Sequence, residues 1–368
     1  MNFEFSDELK QLRDQARRFL AEKSPPGVVR QVLDGAEPYA GALWRDMAAM
    51  GWLGAAIPEQ YGGAGLGYEG LCVLAEELGR ALAPVPFASS AYLATEAILA
   101  AGSEAQKRKM LPGLADGSMI GTLALAEGLG QPDPGSVRTR SVGGRLSGSK
   151  WPVPDGGVAD FAIVAARDET GEIAMFVADL TGTGVTRHNL TTVDPSRNHA
   201  RIEFAGAEAE RLGSDVTGWP TVQRLLERAA IMIAFEQVGG ADACLQMARD
   251  YALERYAFGR PIGSFQAIKH RCADLLVEVE SARSAAAYAS TAVAARAGDA
   301  SVAASIAKVY CSQAFYHVAA ESIQMHGGIG FTWEHPAHLY FKRAKSSEAL
   351  FGWPAHHRDR IAALIGLG

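Results

Sequence analysis

Residues 251–270 read YALERYAFGRPIGSFQAIKH, and the fold turns on how this stretch is read. Tyr251, Ala252, Leu253 and Glu254 continue a helical pattern. Gly259-Arg260-Pro261 breaks it, because proline cannot extend a helix and glycine turns the chain. Ile262-Gly263-Ser264 then leads into a second helix, with Ser264 as its expected N-cap. Arg255, Phe258 and Gln266 lie between or beside the two helices. A planar cation near such a helix–loop–helix break can grip a diphosphate bidentately. It can equally be an arginine on a solvated helix end, and this stretch leaves both readings open.

A second stretch, Gln324-Met325-His326-Gly327-Gly328-Ile329-Gly330-Phe331, follows a long apolar-periodic helix. Its glycines allow positive φ and close backbone approach at a helix end. Together the two stretches resemble the acyl-CoA dehydrogenase family. The family pattern is Tyr-x-x-x-Arg-x-x-Phe-Gly, a Gln at the start of the next helix, and a later Gln-x-x-Gly-Gly-x-Gly run. All three occur here in order, and the resemblance extends unevenly along essentially the whole chain.

The chain has 368 residues, room for two or three domains, and a formal net charge of −6. Acidic balance argues against a nucleic-acid binder, which would carry a basic face. Cys72, Cys244, Cys272 and Cys311 form no C-x-x-C pair. That speaks against a zinc site or a disulfide framework and is compatible with a reducing cytoplasm. The N-terminal residues have no apolar core of a signal peptide and read as a first helix. No run of about 18 uninterrupted apolar residues occurs, so no membrane span is expected.

Residues 1–117 are helical in pattern, including Asp7 to Ala21 with Ser6 as N-cap. Leu43 to Met50, Tyr68 to Arg80, Ser90 to Ala101 and Glu104 to Leu114 are further helices. Residues 118–213 carry short strands with Gly, Asp and Pro turns. The strands are Val137 to Thr139, Arg145 to Gly148, Phe161 to Ala165, Ala174 to Ala178, Val185 to Asn189 and Ala200 to Phe204. That density suggests a small antiparallel barrel or sandwich. Residues 214–368 return to long helices, Val222 to Arg255, Ser264 to about Arg296 and Ala300 to His326, followed by the shorter Pro336 to Lys345 and Arg358 to Ile365, a four-helix bundle. The expected fold class is therefore α+β: an N-terminal helical domain, a middle antiparallel β domain and a C-terminal bundle, which is also the family's order.

The resemblance implies FAD as cofactor and an acyl-CoA as substrate. A glutamate takes the α proton and the β hydrogen leaves as hydride to the flavin, giving an enoyl-CoA. It also implies an electron-transfer flavoprotein as acceptor. Each family flavin site is built from two subunits, so a tetramer, homomeric or with a related chain, is expected. Carried over residue by residue, Arg255 would bind the pyrophosphate and Phe258 would pack near the adenosine. Gln266, Gln324, Gly327 and Gly328 would contact the adenosine diphosphate portion. As alternatives, Phe258 would be core and Gln266 an ordinary first-turn residue.

The half that would face the isoalloxazine departs from the pattern. Where the family has Thr-Glu-Pro-x-x-Gly-Ser, this chain has Ala126-Glu127-Gly128-Leu129-Gly130, without the hydroxyl. The family's Trp-Ile-Thr triplet aligns with Pro152-Val153-Pro154, and a one-residue shift would bring Trp151 into register. Where the family's Ile-Tyr-Glu-Gly-Thr run carries the base, this chain has Leu350-Phe351-Gly352-Trp353, so Phe351 falls at the base position. Some members place the base on the long helix, where this chain has Gln246 and Met247. Glu348 and Glu236 are the weak stand-ins, each more simply a solvated or salt-bridged helix residue. No catalytic residue and no metal ligand is assigned. The expectation is a subunit that completes a partner's site better than its own. The alternatives are an active homotetramer with an unrecognised base and a non-catalytic structural or flavin-holding paralogue.

Overall fold

The structure, a computed structural model, describes residues 6–213 and 218–367. Helices come first: α1 (Asp7–Lys23), α2 (Pro26–Leu33), α3 (Gly41–Ala49), α4 (Gly67–Arg80), α5 (Glu96–Ala101) and α6 (Glu104–Ala115). Seven strands follow: β1 (Gly121–Ala124), β2 (Arg140–Val142), β3 (Arg145–Pro154), β4 (Phe161–Arg167), β5 (Ile173–Asp179), β6 (Val185–Asn189) and β7 (His199–Arg211). Helix α7 (Trp219–Glu254) leads to a two-strand ribbon, β8 (Tyr256–Ala257) and β9 (Arg260–Pro261). Then come α8 (Gln266–Ala294), α9 (Ala300–His326), α10 (Ala337–Ala349) and α11 (Pro354–Leu364). The fold is α+β, with helices, sheet and helices in the order expected. Among the described residues no helix is long and apolar enough to cross a membrane.

The chain divides into two compact units. One comprises Arg30–Leu71 and Pro84–Ala229; the other comprises Met1–Val29, Cys72–Ala83 and Ala230–Gly368.

In the first unit the sheet runs β1-β4-β2-β3-β7-β5, with β6 on β7. β5 also pairs β4, which closes β4, β2, β3, β7 and β5 into a ring. Two pairings, β1 with β4 and β2 with β4, are parallel, and the rest are antiparallel. Strand β4 is buried from Phe161 through Ala166, as its unbroken apolar run requires of a strand covered on both faces. Helix α6 opens with a capping box: Ser103 Oγ accepts from Gln106 N, and Gln106 Oε1 accepts from Ser103 N. The same Gln106 amide donates to Glu210 and to the Arg211 carbonyl of β7, tying the helix start to the strand end.

The second unit is a helical bundle with a core of Leu245, Ala248, Leu275, Val279, Phe315, Val318 and Met325. Small residues let its helices close up. Ala282, Ala286 and Ala289 of α8 and Ala304, Ala307 and Ala314 of α9 are buried. Helices α4 and α7 touch at glycines: a Cβ on Gly239 would stand 1.8 Å from the Glu76 carbonyl oxygen, and one on Gly79 2.1 Å from that of Glu236. Charges seal this crossing. Glu77, fully buried, accepts from Arg17 Nη2 at 2.8 Å and Arg80 Nε at 3.1 Å. Arg80 also pairs with Asp242, and Arg283 with Glu76. Removing one partner of such a pair leaves a buried charge uncompensated, which costs about 3–5 kcal/mol.

Three sequence expectations need correction. The break after α7 is a β-hairpin, not a loop. Ser264 does not cap α8: it lies in a 3₁₀ turn, Phe265 holds the cap position without a side-chain bond, and the Ser264 hydroxyl is buried without a partner among the described residues. Val137–Thr139 is not a strand, because the Arg138 and Thr139 N–H groups donate to the Glu127 carboxylate instead of a neighbouring strand. Helix α2, with Pro26 at its first position, was not anticipated; proline is tolerated there because that N–H has no intrahelical acceptor.

Candidate functional site

The hairpin β8–β9 presents the cationic side of the candidate site. Tyr256 pairs with Pro261 and Ala257 with Arg260, leaving Phe258-Gly259 as a two-residue turn. Both turn residues have positive φ, 53° and 76°, the geometry that matches strand twist in tight hairpins. Glycine adopts it freely, but a bulky residue at positive φ is a genuine outlier. Phe258 is nevertheless held there with its side chain 96% exposed, so it is not core. Phe265 anchors the tip: its ring meets Phe258 edge-on at 6.2 Å and the Arg260 guanidinium at 4.1 Å. Arg255 stands at the hairpin base, exposed, its N–H on Tyr251 O and its carbonyl on Ile262 N. Its guanidinium has no hydrogen bond or ion pair among the described residues. Gln266, the first residue of α8, is also exposed.

The glycine turn ends α9. Gly327 has φ 63° and ψ −138°, a backbone open only to glycine in practice. Gln324, Gly327 and Gly328 are exposed. A Cβ on Gly327 or Gly328 would meet nothing within 4 Å, so their backbone faces open space. Gly330, by contrast, is packed: a Cβ there would stand 2.7 Å from the Ile323 carbonyl oxygen. The turn is thus pressed onto the helix at one end and bare at the other.

Phe351 occupies a second strained turn, just after α10, with φ 58°, and Gly352 follows at φ 114°. Left-handed backbone costs a residue with a Cβ about 1–2 kcal/mol. Buried polar groups hold the turn. His357 Nε2 lies 3.0 Å from the Phe351 carbonyl oxygen, and its Nδ1 3.3 Å from Ser305 Oγ. Nε2 is therefore the protonated nitrogen. Burial first, then the Lys308 charge, push the His357 pKa down to about 4. Lys308, fully buried, donates to Ser312 Oγ and to the carbonyls of Ser347 and Glu348 at 3.0–3.2 Å. It satisfies the free carbonyls that a helix end leaves, and burial lowers its pKa to about 7.

The stand-in carboxylates are engaged or enclosed. Glu348 pairs with Lys345 at 2.7 Å. Glu236 is 4% exposed within α7, so it is not a solvated helix residue. At the alternative base position, Gln246 donates to Asp242, whose charge is matched by Arg80.

On the sheet unit, the segment after β1 bonds to its own neighbours. Trp151 N donates to Ala126 O at 2.8 Å and Gly128 N to Trp151 O at 3.0 Å. Between Lys150 and Val153 the β3–β7 register shifts, so β3 carries an extra residue there against β7. The Arg201 guanidinium lies over the Trp151 ring at 4.5 Å. Lys150, fully buried, donates to Glu127 at 2.7 Å and to Leu125 O at 3.0 Å. Burial lowers the Lys150 pKa to about 8, against the opposing pull of Glu127. Burial raises the Glu127 pKa, but Lys150 and the two backbone N–H groups outweigh it, so the net shift is downward.

Two domain profiles match the chain: "Acyl-CoA dehydrogenase, N-terminal domain" over residues 6–118 and "Acyl-CoA dehydrogenase, C-terminal domain" over residues 217–366. Acyl-CoA dehydrogenase IpdE2 of Mycobacterium tuberculosis is 35% identical over 360 residues, 98% of each chain. The chain belongs to the acyl-CoA dehydrogenase family. Among solved structures of this family, a variant of the Tcur3481–Tcur3483 steroid ACAD superposes with a TM-score of 0.88 at 33% identity, covering 98% of each chain. The ChsE4–ChsE5 complex of Mycobacterium tuberculosis gives a TM-score of 0.91 at 28% identity, covering all of each chain.

Against the family pattern, the structure brings Arg255, Phe258, Gln266, Gln324, Gly327 and Gly328 to exposed positions in one unit. Sequence reasoning missed the buried Lys308–Ser312–Gln237–Ser347 cluster, His357 and the Lys150–Glu127 pair. One signal was available: Lys308 falls on the same face as Ala304, Ala307 and Cys311 of an alanine-rich helix, where a lone charge needs partners.

Proposed function

We propose that this chain is a subunit of a flavin-dependent acyl-CoA dehydrogenase, converting an acyl-CoA thioester to its α,β-enoyl-CoA. We further propose that it completes the FAD site of a related partner chain and carries no base of its own. The observation behind the second statement is the turn after α10. Phe351 stands where a carboxylate is needed, its carbonyl held by His357, while Glu348 is paired to Lys345. A general base must reach the proton it takes.

The residues fit the adenosine diphosphate end of FAD. Arg255 offers a planar cation unpaired among the described residues, Gly327 and Gly328 a backbone open on the side a Cβ would take, and Phe258 a bare ring on strained backbone. Gln266 and Gln324 would add amide contacts. The residues on the sheet unit fit the isoalloxazine end poorly. Ala126 lacks a hydroxyl, Pro152 and Pro154 lack N–H groups, and Arg201 covers Trp151. Bound FAD would supply the hydride acceptor. This chain's part is to hold the cofactor's charged end, while a partner supplies the base and the ring face. We take a heterotetramer as the assembly, bulky and steroid side-chain thioesters as the substrate class, and an electron-transfer flavoprotein as the acceptor. The likeness to a steroid ACAD favours that class. Domain bounds of 1–117, 118–213 and 214–368 and a cytoplasmic location, in keeping with four free cysteines, complete the reading.

The test is to purify the chain alone and with a co-expressed related chain that carries the glutamate. Each preparation is assayed with straight-chain, branched and steroid thioesters and an artificial acceptor. Activity confined to the pair supports the proposal. Turnover by this chain alone establishes instead the homomeric enzyme with an unrecognised base. A flavin-free, inactive pair leaves the structural paralogue.

A further inference from the structure

Two rings pack against His326. The Tyr251 ring lies 4.5 Å from the His326 ring at 34°, and the His335 ring 4.3 Å away on a 48° tilt. His326 is buried, and its Nδ1 lies 2.6 Å from the Ser322 carbonyl oxygen one helical turn back. Nδ1 therefore carries the proton, and the ring plane is fixed by that bond and by its two neighbours.

The positions of the three rings give the stack its meaning. Tyr251 is on α7, and its carbonyl accepts the N–H of Arg255 at 2.8 Å. His326 is the last residue of α9, directly before Gly327. His335 follows the glycine turn, two residues before α10 begins, and its Nδ1 accepts from Ala337 N. One stack therefore joins the helix end that carries Arg255, the helix end that carries Gly327-Gly328, and the segment on the turn's far side. Gly327 itself is tied back to α9 by its N–H on the Gln324 carbonyl, while the side a Cβ would occupy is open.

We propose that His326 is a positioning residue. Packed against Tyr251 and His335, it sets the distance between the Arg255 guanidinium and the glycine turn, and so matches both to one dinucleotide diphosphate. The inference rests on the reading that Arg255 and the turn hold FAD. Histidine is suited to the task because it is flat enough to stack and can also lock its own rotation through Ser322. Leucine fills the space without a plane to clamp; phenylalanine keeps the plane and loses only the hydrogen bond.

The experiment measures FAD dissociation by flavin fluorescence on the full chain, purified with any chain that accompanies it. The variants are His326→Leu, His326→Phe and Arg255→Ala, with melting temperature recorded for each. His326→Leu is expected to weaken FAD binding about tenfold and His326→Phe to stay within about twofold of the parent. That ring-dependent rescue is what a general packing role would not give. If Arg255→Ala weakens binding and His326→Leu does not, the strut is overturned and the reading of the FAD site stands. If His326→Phe is as weak as His326→Leu, the clamp is overturned as well. If Arg255→Ala has no effect, the FAD reading itself falls. Should His326→Leu fail to fold, Tyr251→Leu against Tyr251→Phe tests the same stack from α7, with the same expected split.

Discussion

His357 Nε2 lies 3.0 Å from the carbonyl oxygen of Phe351, and that bond requires a proton on Nε2. Burial and the cations around it hold the folded-state pKa near 4, below the ordinary value of 6.5. In the unfolded chain the ring protonates at the ordinary value. Between the two values the unfolded state binds more protons, so stability falls as pH falls. The contribution is complete above about pH 6.5 and lost by about pH 4. Its size is on the order of 3 kcal/mol. Urea unfolding at pH 7 and pH 4.5 should show this slope in the parent, and His357→Gln should flatten it. Equal slopes in parent and variant would refute the assignment.

Arg255 is exposed and unpaired among the described residues, so Arg255→Ala should leave the melting temperature unchanged. On the proposed reading the same substitution removes a charge-assisted bond to the FAD diphosphate, worth about 1.5–3 kcal/mol. FAD affinity should therefore fall roughly 10- to 150-fold. A desalting column followed by absorbance at the flavin band reads the loss. A variant that retains flavin like the parent would remove Arg255 from the site.

The chain alone, loaded with FAD, should not dehydrogenate acyl-CoAs. Phe351→Glu should not rescue it, because the left-handed turn and its His357 bond fix the backbone for the residue now present. Steady-state assays with an artificial acceptor decide this. Turnover above about 1 s⁻¹, the low end for ordinary enzymes, would disprove it. Glu348→Gln and Glu236→Gln would then show which carboxylate acts.

Two glycines should respond in opposite ways. Gly239→Ala drives a methyl into the Glu76 carbonyl at 1.8 Å and should destabilise by about 3 kcal/mol or more. Gly328→Ala meets nothing within 4 Å and should melt like the parent while binding FAD less well. Thermal melts and flavin titration on the pair separate the two effects. A Gly239→Ala protein as stable as the parent would mean that α4 and α7 are free to separate.

The helices were legible because their periodicity is local: α9 runs from Ala300 to His326 as the pattern predicts, and α7 and α8 end within a few residues of theirs. Sheet edges were less so. The Glu127 carboxylate draws the Arg138 and Thr139 N–H groups away from a ladder, and no window of sequence around Val137 records a partner 11 residues upstream. The hairpin at Phe258 was hidden for a related reason. Gly-Arg-Pro announces a turn, but positive φ at a phenylalanine has no sequence signature. The candidate site divides along the same line. Arg255, Gln324 and the glycines show themselves by spacing, whereas the carbonyls that Lys308 meets lie 39 and 40 residues away and are seen only once the helices pack.

Phe258 and Phe331, 96% and 84% exposed, make an unassembled copy of this chain a liability to the cell that produces it. Bare aromatic rings on a folded surface invite non-specific association. A surplus copy, though correctly folded, would present to chaperones and proteases the kind of surface that marks unfolded protein. If the chain pairs with a related one as proposed, synthesis of the two would have to be matched in amount, and orphaned copies would be cleared faster than assembled ones. On that reading dosage, set by how much partner is available to cover the two rings, would be a property written into two surface turns, the hairpin tip at Phe258 and the glycine turn ending at Phe331.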